Sequence, residues 1–165
     1  MSKKNLQLFE TVYQQCYPMV LQMCLGFMKG DNDLAKDLSQ EVFINIWNAL
    51  DTFKNQSSHK TWVYRVTVNT CLQYLRKEKK KKRISLEKVE NSLADNQHDQ
   101  NLDQNKTLYL AIGQLEDLDR LIIMMVLEGQ DYDTISEILG IKPTNVRVKI
   151  HRIKKRLKKI LNNER

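Results

Sequence analysis

From Glu78 to about Thr107 the chain loses the apolar periodicity that it has on either side. "EKKKKR" leads into "ENSLADNQHDQNLDQNKT", which is Asn, Gln and Asp with scattered single Leu, Val and Ala. A stretch so poor in apolar side chains buries too little surface to offset the entropy of ordering it. Any fold for this sequence has to be divided there. The expectation is two small domains, residues 1–77 and 108–165, joined by a flexible linker over 78–107.

Both flanking blocks repeat at helical spacing. In the first, Phe9, Tyr13, Cys16, Val20, Cys24 and Phe27 recur every three or four residues, and Pro18 predicts a kink or break. "GDND" then ends one helix and caps the next, which runs from about Asn32 to Leu50 with Leu34, Leu38, Val42 and Ile46 as its inward stripe. A third helix begins near Ser58 to Lys60 and carries Tyr64, Val68, Cys71, Leu72 and Leu75 on one side. The second block opens with an apolar helix through Leu115 and continues with Leu118, Leu121, Ile122 and Met125 before Gly129. With 41% hydrophobic residues, five glycines and two prolines, the composition suits long helices with a core in each block. The expected fold class is all-α.

The end of the chain is the most specific segment. In "DYDTISEILGIKPTNVRVKIHRIKKRLKKIL", Asp131 can cap a short helix that buries Ile135, Ile138 and Leu139. Gly140 supplies a turn and Pro143 suits the first turn of the next helix. Small Ser136 and apolar Val146 sit where a helix-turn-helix needs close packing and a core contact. In the last helix Val146, Ile150, Ile153 and Leu157 point inward, leaving Arg147, Lys149, His151, Arg152, Lys154 and Lys155 outward. A solvated helix normally interleaves acids with its bases, and no acid appears here before Glu164.

Charge is distributed to match. From Leu108 to Ile141 seven acidic residues face Arg120 alone, whereas from Lys142 onward ten basic residues face Glu164 alone, within a net charge of +7. A basic face confined to one terminal element is the pattern expected for contact with a polyanion. Arg147 and Arg152 suit base edges or phosphates in a major groove, and the later lysines suit phosphates.

Other chemistries find little support. Cys16, Cys24 and Cys71 form no CxxC pair and read as small core residues, and His59, His98 and His151 are scattered without ligand spacing. No metal, cofactor or catalytic cluster is expected. No apolar run reaches membrane-spanning length and the first residues lack a signal-peptide core, so a cytoplasmic protein without membrane insertion is expected.

Two further stretches give the family. "DLAKDLSQEVFINIWNALDTF" followed by "TWVYRVTVNTCLQYLRKEKKK" resembles the second conserved region of the extracytoplasmic-function sigma factors of bacterial RNA polymerase. "DYDTISEILGIKPTNVRVKIHRIKKRL" resembles their fourth. The resemblance implies a non-enzymatic transcription factor whose partners are core RNA polymerase, promoter DNA and an anti-sigma factor. It carries core-polymerase binding to Asp37, Gln40, Glu41, Phe43 and Trp47. Pattern alone fits this helix equally to burial on two sides. It carries reading of the −10 element to Asn55, Ser57, Ser58, His59 and Lys60 of the loop and helix start, and to Arg65, Asn69 and Gln73 on the third helix. Trp62 and Tyr64 read as core. Reading of the −35 element falls to Thr144, Asn145, Arg147, Val148, Lys149, His151 and Arg152. Lys142, Pro143 and Val148 depart from the usual pattern, although a valine can meet a thymine methyl. The alternative within DNA-binding proteins is a stand-alone helix-turn-helix regulator, which would bind DNA without polymerase. A helical enzyme or adaptor with a basic tail is the rival from another class.

Overall fold

The computed structural model describes residues 2–86 and 104–163, and every regular element among them is helical. The first group comprises α1 (Lys3–Phe27), α2 (Asn32–Ala49) and α3 (His59–Leu86), with a 3-10 turn at Leu50–Thr52. The second comprises α4 (Gln104–Gly113), α5 (Asp117–Leu127), α6 (Tyr132–Leu139) and α7 (Pro143–Asn163). Of the expected linker, residues 87–103 lie outside the described residues. Its two ends are helical, because α3 runs on to Leu86 and α4 starts at Gln104. Apolar periodicity stops at Lys77, but Glu, Lys and Arg are good helix formers, and Lys81 pairs with Glu78 at 3.6 Å one turn away.

α1 is continuous through Pro18, so of the expected kink or break the break does not occur. The ring removes one backbone donor. The turns around it are held by packing of Val12, Cys16, Met19, Val20, Met23 and Cys24, all buried. The three thiols are free and buried, and burial pushes the Cys16 thiol pKa up. Asp31 caps α2 by accepting a hydrogen bond from the Leu34 amide at 3.1 Å. The inward stripe of α2 is Ala35, Leu38, Val42, Phe43 and Ile46, whereas Leu34 is 42% exposed. As the third residue of the helix it lies in the first turn, beyond the reach of the bundle. Asp31→Ala should lower the unfolding free energy by about 1 kcal/mol in a denaturant titration, and Asp31→Ser should recover most of it.

The two groups share one continuous core, from Val12 to Leu157. α4 and α5 lie against the C-terminal half of α1, and α6 lies against α3. At this seam Gly26 meets Met124 so closely that a Cβ added there would stand 2.3 Å from its sulfur. Arg120, almost fully buried, crosses the seam. Its Nε donates to the Phe27 carbonyl at 3.1 Å, its Nη1 to the Leu115 carbonyl at 2.9 Å and its Nη2 to Asp117 at 2.7 Å. The guanidinium also sits 5.1 Å from the centroid of the Phe27 ring.

Candidate nucleic-acid interface and docking groove

The helix-turn-helix forms from local chemistry. Asp131 accepts from the Thr134 amide at 2.7 Å, and that bond holds its carboxyl below the usual aspartate range. This cap therefore stabilises α6 above the ordinary aspartate pKa and is lost as pH falls through the lowered folded value. α6 buries Ile135 and Ile138 and ends on Gly140, whose φ of 67° is left-handed and suits glycine. The Ser136 hydroxyl donates back to the Ile141 carbonyl across the turn. α7 then starts on Pro143 and buries Val146, Ile150, Ile153 and Leu157, the stripe expected from spacing. Thr144, Asn145, Arg147, Val148, His151 and Arg152 are exposed together on its N-terminal half. Val148, 48% exposed, is an apolar point in a polar face. Lys149 is drawn aside, half-buried and 3.7 Å from Asp119 of α5. Further along, Arg152, Lys155, Arg156 and Lys159 line a shallow basic groove.

The second cluster surrounds the start of α3. Asn55 has a left-handed backbone, φ 53°, in the preceding loop, and Ser58 caps the helix by accepting from the Thr61 amide at 3.1 Å. Phe53 packs on His59 and Trp62, with ring centroids 5.1 Å and 4.7 Å apart. Ser58, His59, Lys60, Asn69 and Gln73 are exposed and Ser57 is half-buried. Tyr64 is core, as its spacing suggested, and Trp62 is part-buried against it. Arg65 is already engaged, its Nη2 3.0 Å from Glu137 of α6.

The third feature is an open groove of about 500 Å³ between the N-terminal half of α1 and α2. Phe43, though buried, forms its floor, with Phe9 edge-on at 6.4 Å, Tyr13 at 4.7 Å and Tyr17 stacked at 6.0 Å. Trp47 packs edge-on against Phe9 at 5.0 Å. Gln40 and Ile44 complete the lining, Ile44 being 59% exposed. Asp37 is exposed one turn away, and Glu41 pairs with Lys77 at 3.7 Å. An exposed apolar surface of this kind, rimmed by polar residues, is chemically suited to contact with another macromolecule.

Comparison with known proteins gives the family. The family profile for sigma-70 region 2 matches residues 12–81, and that for sigma-70 region 4 matches residues 106–157. The chain is 31% identical to the ECF RNA polymerase sigma-E factor of Escherichia coli K12, over 70% of this chain and 68% of that one. It belongs to the extracytoplasmic-function sigma factors. The RNA polymerase sigma factor YlaC of Bacillus subtilis is 28% identical to this sigma factor over 98% of this chain and 96% of that one. The fold is shared with the sigma factor RpoE of Bartonella quintana, solved in complex with the anti-sigma factor NepR. The TM-score is 0.77 at 20% identity, covering 95% and 98% of the two chains. Membership favours the sigma-factor reading over that of a stand-alone regulator.

Two features of the sigma factor escaped the sequence reading. Phe9 and Tyr13 keep the helical spacing of the buried Cys16 and Val20, yet Tyr13 is 42% exposed and both line the groove. Arg120 stood out only as the lone base in an acidic segment, although two of its partners are backbone carbonyls. Among the described residues of the sigma factor, no helix is long and apolar enough to cross a membrane.

Proposed function

We propose that this sigma factor binds core RNA polymerase through the α1–α2 groove and the neighbouring face of α2, and reads promoter DNA with two separate surfaces. Residues 1–77 form the polymerase-binding and −10-reading domain, and residues 108–165 the −35-reading domain, with 78–107 between them. Asp37, Gln40 and Glu41 provide the polar rim, and Phe43 and Trp47 build the apolar floor. Asn55, Ser57, Ser58, His59, Lys60, Arg65, Asn69 and Gln73 receive the opened −10 strand. Extracting a base costs a few kcal/mol, which hydrogen bonds and stacking in this cluster offset. Thr144, Asn145, Arg147, Val148, Lys149, His151 and Arg152 read the −35 element. The chain acts in the cytoplasm, performs no catalytic step of its own, and is restrained by an anti-sigma factor, as RpoE is bound by NepR.

The observation that carries this reading is α7, a helix with a fully buried apolar stripe and an outer face without an acidic side chain as far as Asn163. Arg147 stands at its fifth residue, within reach of base edges. Lys158 lies three turns further on, where only phosphates remain within reach. In holoenzyme, Arg147→Ala should weaken binding to the preferred −35 element by about 1 to 3 kcal/mol and flatten discrimination among its variants. Lys158→Ala should weaken all sequences alike and lower the salt slope by roughly one. A salt titration on matched and scrambled elements separates the two. Equal, sequence-blind losses would remove Arg147 from readout.

A further inference from the structure

Successive residues of an α-helix are turned by about 100° around its axis, so the side chain farthest from a buried stripe stands two positions away from it. In α7 that place belongs to Val148, about 200° from Val146 behind it and from Ile150 ahead of it, both buried. Val148 is 48% exposed on the crest of the helix, whereas every other aliphatic side chain from Val146 to Leu161 is buried or half-buried. Thr144 and Asn145 lie one turn before it and His151 and Arg152 one turn after it, all of them exposed. Lys155 continues the same crest one turn further on. The crest is therefore apolar at one point and polar or cationic around it, with no acidic side chain on the helix as far as Asn163.

Cations that engage phosphates on both sides of a groove press this crest against the base edges between them. A valine there has neither donor nor acceptor. Opposite guanine or adenine it would strip water from the ring nitrogen and exocyclic groups and return no hydrogen bond. The C5 methyl group of thymine is the one apolar group that an unmodified base pair presents in the major groove. We propose that Val148 reads that methyl group, so that the −35 element carries a thymine at the position facing the crest of α7. This deepens the −35 role proposed for α7 and rests on it. One turn of helix rises about 5.4 Å, which is more than one and less than two base-pair steps of about 3.4 Å. Thr144 and Asn145 on one side, and His151 and Arg152 on the other, therefore meet the pairs next to the thymine, where their polar groups have partners. Cytosine methylated at C5 presents the same methyl group, so recognition responds to that modification as well. A lone valine ringed by cations offers a protein partner no apolar core to bury, and the charge around it favours a polyanion.

The test removes one methyl group from the DNA and one apolar side chain from the protein, separately and together. Parent holoenzyme would first select its −35 element from a randomised duplex. Each thymine of either strand would then be replaced singly by deoxyuridine, which lacks only the C5 methyl group, and binding followed by fluorescence anisotropy. At one position the replacement should weaken the parent about fourfold, the worth of one buried methyl group. Val148→Ser should bind the thymine and uracil duplexes at that position equally. With cytosine placed there instead, methylation at C5 should tighten binding by the parent about fourfold and leave Val148→Ser unmoved. Equal effects of the methyl group on parent and Val148→Ser, at every position, would overturn the inference, because the methyl group would then act through base stacking or another side chain. Arg147→Ala and Arg152→Ala on selected and scrambled duplexes separate this inference from the −35 role on which it rests. If both leave discrimination between the two duplexes intact, α7 does not read the element and the thymine contact falls with it. If discrimination drops while Val148→Ser keeps the parent's response to the methyl group, the −35 role stands and only the contact at Val148 is withdrawn.

Discussion

Replacing Arg120 with alanine is expected to lower the unfolding free energy by about 3 to 5 kcal/mol, the largest effect of any single charged residue in the described structure. The buried guanidinium satisfies the Phe27 and Leu115 carbonyls and the partly exposed Asp117 carboxylate. Alanine would leave the two carbonyls unpaired and Asp117 with Lys79 at 3.5 Å, and would open a gap beside the Phe27 ring. Arg120→Lys would restore the charge but not the forked geometry, so it should recover only part of the loss. Denaturant titration followed by circular dichroism measures both variants. A cost below about 0.5 kcal/mol for Arg120→Ala, the range of ordinary surface substitutions, would show that the seam does not depend on this side chain.

The second large effect is expected in the groove. Ile44 is exposed at its edge beside Gln40 and above the Phe43–Tyr17 stack. Ile44→Glu would carry an unpaired charge into the centre of the docked surface, and should weaken binding to core polymerase by about 3 kcal/mol, on the order of 100-fold. The free chain should melt as before, since an exposed substitution of this kind moves stability by no more than about 0.5 kcal/mol. Asp37→Ala with Gln40→Ala, at the polar rim, should give a smaller loss. Undiminished binding of Ile44→Glu, measured by sedimentation or fluorescence anisotropy against core enzyme, would place the polymerase contact elsewhere.

The contrast between Arg120 and α7 shows what a sequence of this kind makes legible. α7 was readable because its two faces differ in kind: Val146, Ile150, Ile153 and Leu157 keep strict helical spacing and all are buried. Asp131 and Gly140 were readable because cap and turn are short-range events, settled within four residues. Arg120 was not, because Phe27 lies far away in sequence and contributes a carbonyl, which every residue has. The aromatic groove was half legible. Phe43 and Trp47 followed from the family resemblance, but Phe9 and Tyr13 obey core spacing and only the packed helices show the side left open. Extension of α3 beyond Lys77 was hidden for a different reason. Its surface residues favour helix by intrinsic propensity and by contacts such as Lys79 to Asp117 at 3.5 Å, neither of which leaves an apolar rhythm to read. Among the candidate −35 residues, Lys149 shows the same limit, since Asp119 reaches it only once α5 and α7 are packed.

The aromatic groove also bears on how many copies of this protein a cell can carry. A surface built from Phe9, Tyr13, Ile44 and Trp47 attracts other apolar surfaces whenever nothing specific covers it. Binding to the folded form lowers its free energy by an amount that grows with the concentration of free partner, so a copy with a partner is protected and a surplus copy is not. Surplus copies are left to self-association and to proteolysis of the transiently opened chain. Supply of the covering partner therefore sets a ceiling on the durable pool of this protein, independently of how fast it is synthesised.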